Sequence, residues 1–140
     1  MSDIKNLWPE DLLNGSDMIL PITILQEQAK FLNEMTKNVV TASIDTRKVN
    51  VAIQNSNDTK PGILHTLKIV APAIGNYDFD LVRLIQEELL PYPLRVFSPL
   101  IEDGKFECNN PTELETVLEI VFRNKKTIST IQSLIMQSKQ

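Results

Sequence analysis

Residues 39–53 read VVTASIDTRKVNVAI, and this stretch decides the fold class. Val40, Ala42 and Ile44 alternate with Thr41, Ser43 and Asp45, and Val49, Val51 and Ile53 alternate with Asn50, Ala52 and Gln54. A period of two belongs to a pleated strand with one face buried, whereas a helix would repeat its apolar positions every three or four residues. The parity of the apolar positions changes across Asp45–Lys48. Two arrangements produce such a change: a tight turn between two strands, or one long strand with a bulge that exchanges its faces.

Upstream the period is helical. Ile24, Leu25, Ala29, Phe31, Leu32 and Met35 recur at three- and four-residue steps, interrupted by Gln28, and Pro21 suits a first helical position because the N–H it lacks would have no partner there. A helix is therefore expected over 21–37. Residues 1–16 read as an irregular arm in which Leu7, Trp8, Leu12 and Leu13 are spaced among polar residues. The ordinary expectation is that the arm wraps its own domain; the sharper one is that Trp8 docks into a partner.

Downstream, NSNDTKPG at 55–62 has the chemistry of an exposed loop, and Ile63, His65, Leu67, Ile69 and Ala71 share one face of a further strand. Antiparallel strands are thus expected within 39–71. Leu81, Leu84, Ile85 and Leu89 suggest a second helix over 79–90, with Asp78 as its N-cap and Asp80 in its first turn. Short strands are expected within 94–108. Asn110-Pro111-Thr112-Glu113 is a helix start, with a capping side chain, proline in first position and a glutamate able to reach back. Helices over 111–123 and 127–138 follow. The fold class is a single α+β domain over 1–140: an N-terminal helix, an antiparallel sheet of about four to five strands with an inserted helix, and two C-terminal helices packed on the sheet.

The chemistry available to this chain is sparse. Its 140 residues include one histidine, His65, and one cysteine, Cys108, and no phosphate loop, GxSxG, CxxC or HExxH occurs. His65 and Cys108 both read as core residues, and no catalytic residue, metal or cofactor is expected. The formal charge of −4 is unevenly spread: residues 41–75 carry two acids against four bases, while 76–110 carry seven against three. Arg47, Lys48, Lys60 and Lys68 form the candidate nucleic-acid patch. The absence of a signal-like N-terminus or a long apolar run implies a cytoplasmic protein outside the membrane.

In its expected order of helix, three strands, helix and strand, the chain resembles the core of restriction-endonuclease-like nucleases. That resemblance implies a metal held by an acid at one strand end and an acid-x-Lys on the next. Lys68 has Thr66 in the acid position, and Asp45 and Asp58 are the only acids in 41–75, so the ligand set is incomplete unless Glu27 or Glu34 enters it.

The last helix is uncharged until Lys139. Ile128, Ile131, Leu134 and Ile135 form its apolar stripe, and Ser129, Thr130, Gln132, Ser133, Met136 and Gln137 its remaining surface. Interface cores are depleted in charge, so Ile131, Gln132 and Met136 join Trp8 as candidate interface residues. The expected function is a small non-catalytic interaction or regulatory domain binding a protein partner or a second copy as a homodimer; the alternative is a nucleic-acid-associated or degenerate nuclease-like domain.

Overall fold

In a computed structural model describing residues 3–14, 18–53 and 55–140, the strand signal at 39–53 becomes β1 (Thr41–Ala52), preceded by α1 (Pro21–Met35). Four further strands follow: β2 (Thr59–Ala71), β3 (Tyr77–Glu87), β4 (Leu94–Phe97) and β5 (Lys105–Cys108). The chain closes with α2 (Pro111–Phe122) and α3 (Lys125–Ser138). The sheet is antiparallel throughout, in the order β1-β2-β3-β4-β5. This is the α+β domain expected from the sequence, with two changes: 39–71 forms two strands where the expected order had three, and the inserted helix is a strand.

Residues 79–90 form most of β3, and the connection from β2 contains only a 3-10 turn, Pro72–Ile74, followed by Gly75 and Asn76 in left-handed conformations. The helical spacing has a local cause. Leu67 pairs with Val82 and Lys68 with Asp80, which leaves Leu81 as an extra residue in a β-bulge. A bulge shifts the side-chain phase by one, so Leu81 and Leu84, three apart, are both buried in the core. Ile85 lies in register with Leu64 on the other face, and Leu89 is exposed. Asp78 consequently caps nothing; it lies opposite Val70 in the ladder. Asp80 instead accepts from the Arg83 guanidinium at 2.7 Å.

β1 contains neither a turn nor a bulge. It pairs with β2 without interruption from Thr41↔Val70 to Ala52↔Thr59. Its parity change reflects burial on different faces at its two ends. Ala42 and Ile44 face the helices, whereas Val51 is buried on the opposite, open face. There the sheet curls: the Arg95 guanidinium on β4 reaches the Ala52 carbonyl at 3.4 Å across the two intervening strands.

β2 begins earlier than the loop chemistry of 55–62 suggested, and Pro61 lies inside it. Its carbonyl accepts from Glu88 N–H at 3.2 Å, but proline has no N–H to return, so the β2–β3 ladder ends at Gly62↔Glu87.

The core lies between the helix layer and one sheet face. Leu25, Leu114, Leu118 and Val121 from α1 and α2 meet Ile69, Val82, Leu84, Leu94 and Val96. α2 is held at its start by Asn110, whose side-chain oxygen accepts from Glu113 N–H at 2.8 Å. The Glu113 carboxylate reaches back past the cap to Asn109, accepting from its backbone N–H at 3.0 Å. Asn110→Ala removes a cap and is expected to cost about 1 kcal/mol, read as a lower urea midpoint at constant m-value. Asn110→Asp, which keeps an acceptor, serves as the control and should retain most of that stability.

Candidate interaction surfaces

Residues 3–14 do not wrap the domain. Trp8 is 72% exposed and Leu13 98%, and Ile4, Leu7 and Leu12 are likewise exposed. The arm has local order only, from a Trp8 N–H bond to the Asn6 side chain at 3.1 Å and a 3-10 turn at Leu12–Asn14. It is tethered further along, where the Tyr92 hydroxyl donates to the Ile19 carbonyl at 2.9 Å. The remainder of the expected arm, residues 1–2 and 15–16, lies outside the described residues. The expectation of self-wrapping fails for a physical reason: α1 and α2 already cover the apolar sheet face that the arm would need.

The three candidate positions on α3 differ in environment. Ile131 is half-buried against the core, whereas Gln132 is exposed and Met136 is 64% exposed. Ser133 and Gln137 of α3 join Ile74 and Tyr77 in lining an open depression of about 450 Å³.

The four basic candidates do not form one patch. Arg47 bonds Asp45 at 2.9 Å, Lys60 pairs with Glu87, and Lys68 lies 3.9 Å from Asp80. Lys48, one residue from Arg47 on a strand, projects from the opposite, helix-covered face. The open face therefore carries balanced charges around half-buried Leu64, Ile85 and Phe97, with Arg83 stacked over the Phe97 ring. Sequence reasoning missed this balance because Glu87 and Asp80 fall in the segment read as helix. The nuclease-like order of elements also depended on that helix.

His65 is buried on the helix-covered face. Its Nδ1 lies 2.9 Å from Thr46 Oγ1. Burial pushes the imidazole below its usual pKa, with a hydrogen bond to Gln86 opposing the shift in part. Because the folded-state pKa lies below the unfolded value, the stabilisation from keeping the ring neutral is fully present above pH 6.5. It declines as pH falls from there toward the folded value, since the unfolded chain takes up the proton first. Stability measured by urea melts should therefore fall on acidification below about pH 6.5, and His65→Gln should flatten that slope. An equal slope in the variant would assign the pH dependence to other groups.

Cys108 cannot serve His65 as a nucleophile. His65 is in register with Leu84, Val96 and Phe106, and Cys108 is on β5, three strand spacings or about 14 Å from β2. Burial raises the Cys108 thiol to about 11, with Glu113 and Glu107 adding to the shift, which disfavours the reactive thiolate. Among the described residues no group of three or more His, Cys, Asp or Glu side chains is placed to hold a metal ion. Nor is any helix there long and apolar enough to cross a membrane.

The outer edge of β1 is the remaining surface. The Ala42 N–H points away from β2, because it donates to the Asn33 side chain at 2.8 Å. Strand alternation then turns the N–H and C=O groups of Ile44, Thr46, Lys48 and Asn50 outward as well. Among the described residues none of these outward backbone groups has a hydrogen-bond partner. Beside this edge, Ala29, Asn33, Glu34, Ala42 and Ile44 line an open groove of about 700 Å³. Comparison with known families, curated proteins and solved structures finds no match to this chain.

Proposed function

We propose that this protein is a non-catalytic protein-interaction domain that engages a partner through its N-terminal arm. The observation that carries the reading is the exposure of Ile4, Leu7, Trp8, Leu12 and Leu13 within one short segment. Large exposed apolar side chains gathered in one segment are suited to docking, and tryptophan is among the residues enriched at interface hot spots. The Tyr92 tether at Ile19 fixes where the arm leaves the domain without fixing what it meets. Ion pairing of Arg47, Lys60 and Lys68 leaves the alternative nucleic-acid reading without comparable support.

The test is capture from the native lysate by the immobilised full-length protein, wild type against Trp8→Ser, with and without nuclease. A stoichiometric protein that survives nuclease and falls about 30-fold in affinity in the variant supports the reading. Nucleic acid recovered alone, or a partner indifferent to Trp8→Ser, overturns it. Ile131→Asp and Met136→Lys locate the alternative surface on α3; a partner lost only in Met136→Lys would move the docking site there.

A further inference from the structure

We infer that two copies of this chain associate through their β1 edges, pairing antiparallel about a two-fold axis at Thr46 to form one continuous ten-stranded sheet. This assembly goes beyond the arm-mediated reading and does not depend on it.

β1 is a twelve-residue strand at the end of the sheet, and Ile44, Thr46, Lys48 and Asn50 direct outward backbone groups that have no hydrogen-bond partner among the described residues. A long exposed edge is a template for another strand. In β-sheets the pairing is specified by side chains, so the candidate registers can be ranked by their charges.

A two-fold axis normal to the sheet places each residue opposite the one equally far beyond the axis. Pairing nearly the whole strand leaves two registers, centred on Thr46 or Arg47. The Arg47 register places two arginines directly opposite one another. The neighbouring register at Asp45 apposes two aspartates, and one at Lys48 apposes two lysines. Like charges directly opposite are destabilising. The Thr46 register alone sets Asp45 of each copy against Arg47 of the other, twice by symmetry, so the greatest overlap and the best charge complementarity coincide.

The same register accounts for Lys48, a residue type that commonly protects edges from pairing. It falls opposite Ile44 of the second copy on the helix-covered face. Ile44 lines the groove with Glu34, which gives the lysine stem an apolar floor and its ammonium an acidic neighbour. Thr46 becomes a hydrogen-bonded pair across the axis, flanked by Ile44–Lys48 pairs, for about six main-chain bonds in all. The Asp45–Arg47 pairs fall at the intervening closer positions. Within one copy Asp45 already holds the Arg47 guanidinium, so both charges are arranged on the open face before the copies meet.

Sedimentation equilibrium on the full-length protein tests the assembly. Wild type should sediment as a dimer at micromolar to high-micromolar concentration. Arg47→Glu should raise the dimer dissociation constant about tenfold or more, because two attractive contacts become repulsive. The exchange Asp45→Arg with Arg47→Asp should restore dimerisation, an outcome that general surface perturbation does not produce. Lys48→Pro, which removes an outward N–H without touching the β1–β2 ladder, should dissociate the dimer. Circular dichroism establishes that each variant is folded. A monomeric wild type overturns the proposal, as does a dimer indifferent to Arg47→Glu and Lys48→Pro or lost only in Met136→Lys. Trp8→Ser should leave the dimer intact, which separates failure of this assembly from failure of the arm.

Discussion

Leu84→Ala is expected to destabilise the protein by about 3–5 kcal/mol, the upper part of the range for a buried leucine. Leu84 is fully buried, on the central strand β3, between His65 of β2 and Val96 of β4 in register. Truncation there loses the transfer free energy of the side chain and leaves a cavity. The cost depends on how well the surroundings collapse into it. Here two paired strands hold the backbone on either side, and the core beyond is close-packed, so little collapse is available. Against a total stability of about 5–15 kcal/mol this is a large fraction, and the melting temperature should fall by roughly 15 °C. Leu89→Ala is the matched control. Leu89 belongs to the same apparent helical stripe in the sequence but is 88% exposed, so its truncation should change stability by less than about 0.5 kcal/mol. Equal losses at the two positions would contradict the bulged strand and restore the helix.

Gly62→Ala should destabilise the protein by about 2–3 kcal/mol, although a glycine at a permissive backbone position ordinarily gains stability on this change. A Cβ at Gly62 would overlap Val51 Cγ2 and stand 2.7 Å from the Gln86 carbonyl oxygen. The valine, β-branched and buried, can yield only by leaving its rotamer. The carbonyl cannot yield, because it belongs to β3 beside the last pair of the ladder with β2. Restricting the unfolded chain stabilises by only about 0.4–1 kcal/mol, so the clash decides the sign. Adding Val51→Ala tests the division: it relieves the side-chain contact, leaves the carbonyl contact, and should recover only part of the loss. A stabilised Gly62→Ala variant, measured by urea denaturation, would show that the sheet opens at this corner.

How much was legible in the sequence varied with the range of the forces involved. α1 and α2 were readable because Pro21, Asn110 and the three- and four-residue apolar steps act within a single helix. β1 and β2 were readable from alternation, though the parity change in β1 could not be resolved locally. Val51 is buried on the open face only because the sheet curls around Gly62, a contact with a residue on another strand. β3 was misread because the extra residue at Leu81 converts a period of two into a three-residue step. A bulge is defined by the partner strand, and one strand's sequence does not contain its partner's register.

The candidate surfaces divide in the same way. Trp8 and its apolar neighbours were visible as residue types, but their exposure depends on α1 and α2 covering the sheet face. Arg47, Lys60 and Lys68 looked like a patch in one dimension, and their carboxylate partners appeared only once the strands were side by side. By itself the sequence determined the α+β class, the helix starts and the absence of familiar catalytic motifs, because propensity, capping and patterning act over a few residues. Tertiary structure decided the strand identity of 77–87, the pairing of the charges and the free edge of β1, because each depends on which strand lies next to which, a relation set by packing between residues far apart in the chain.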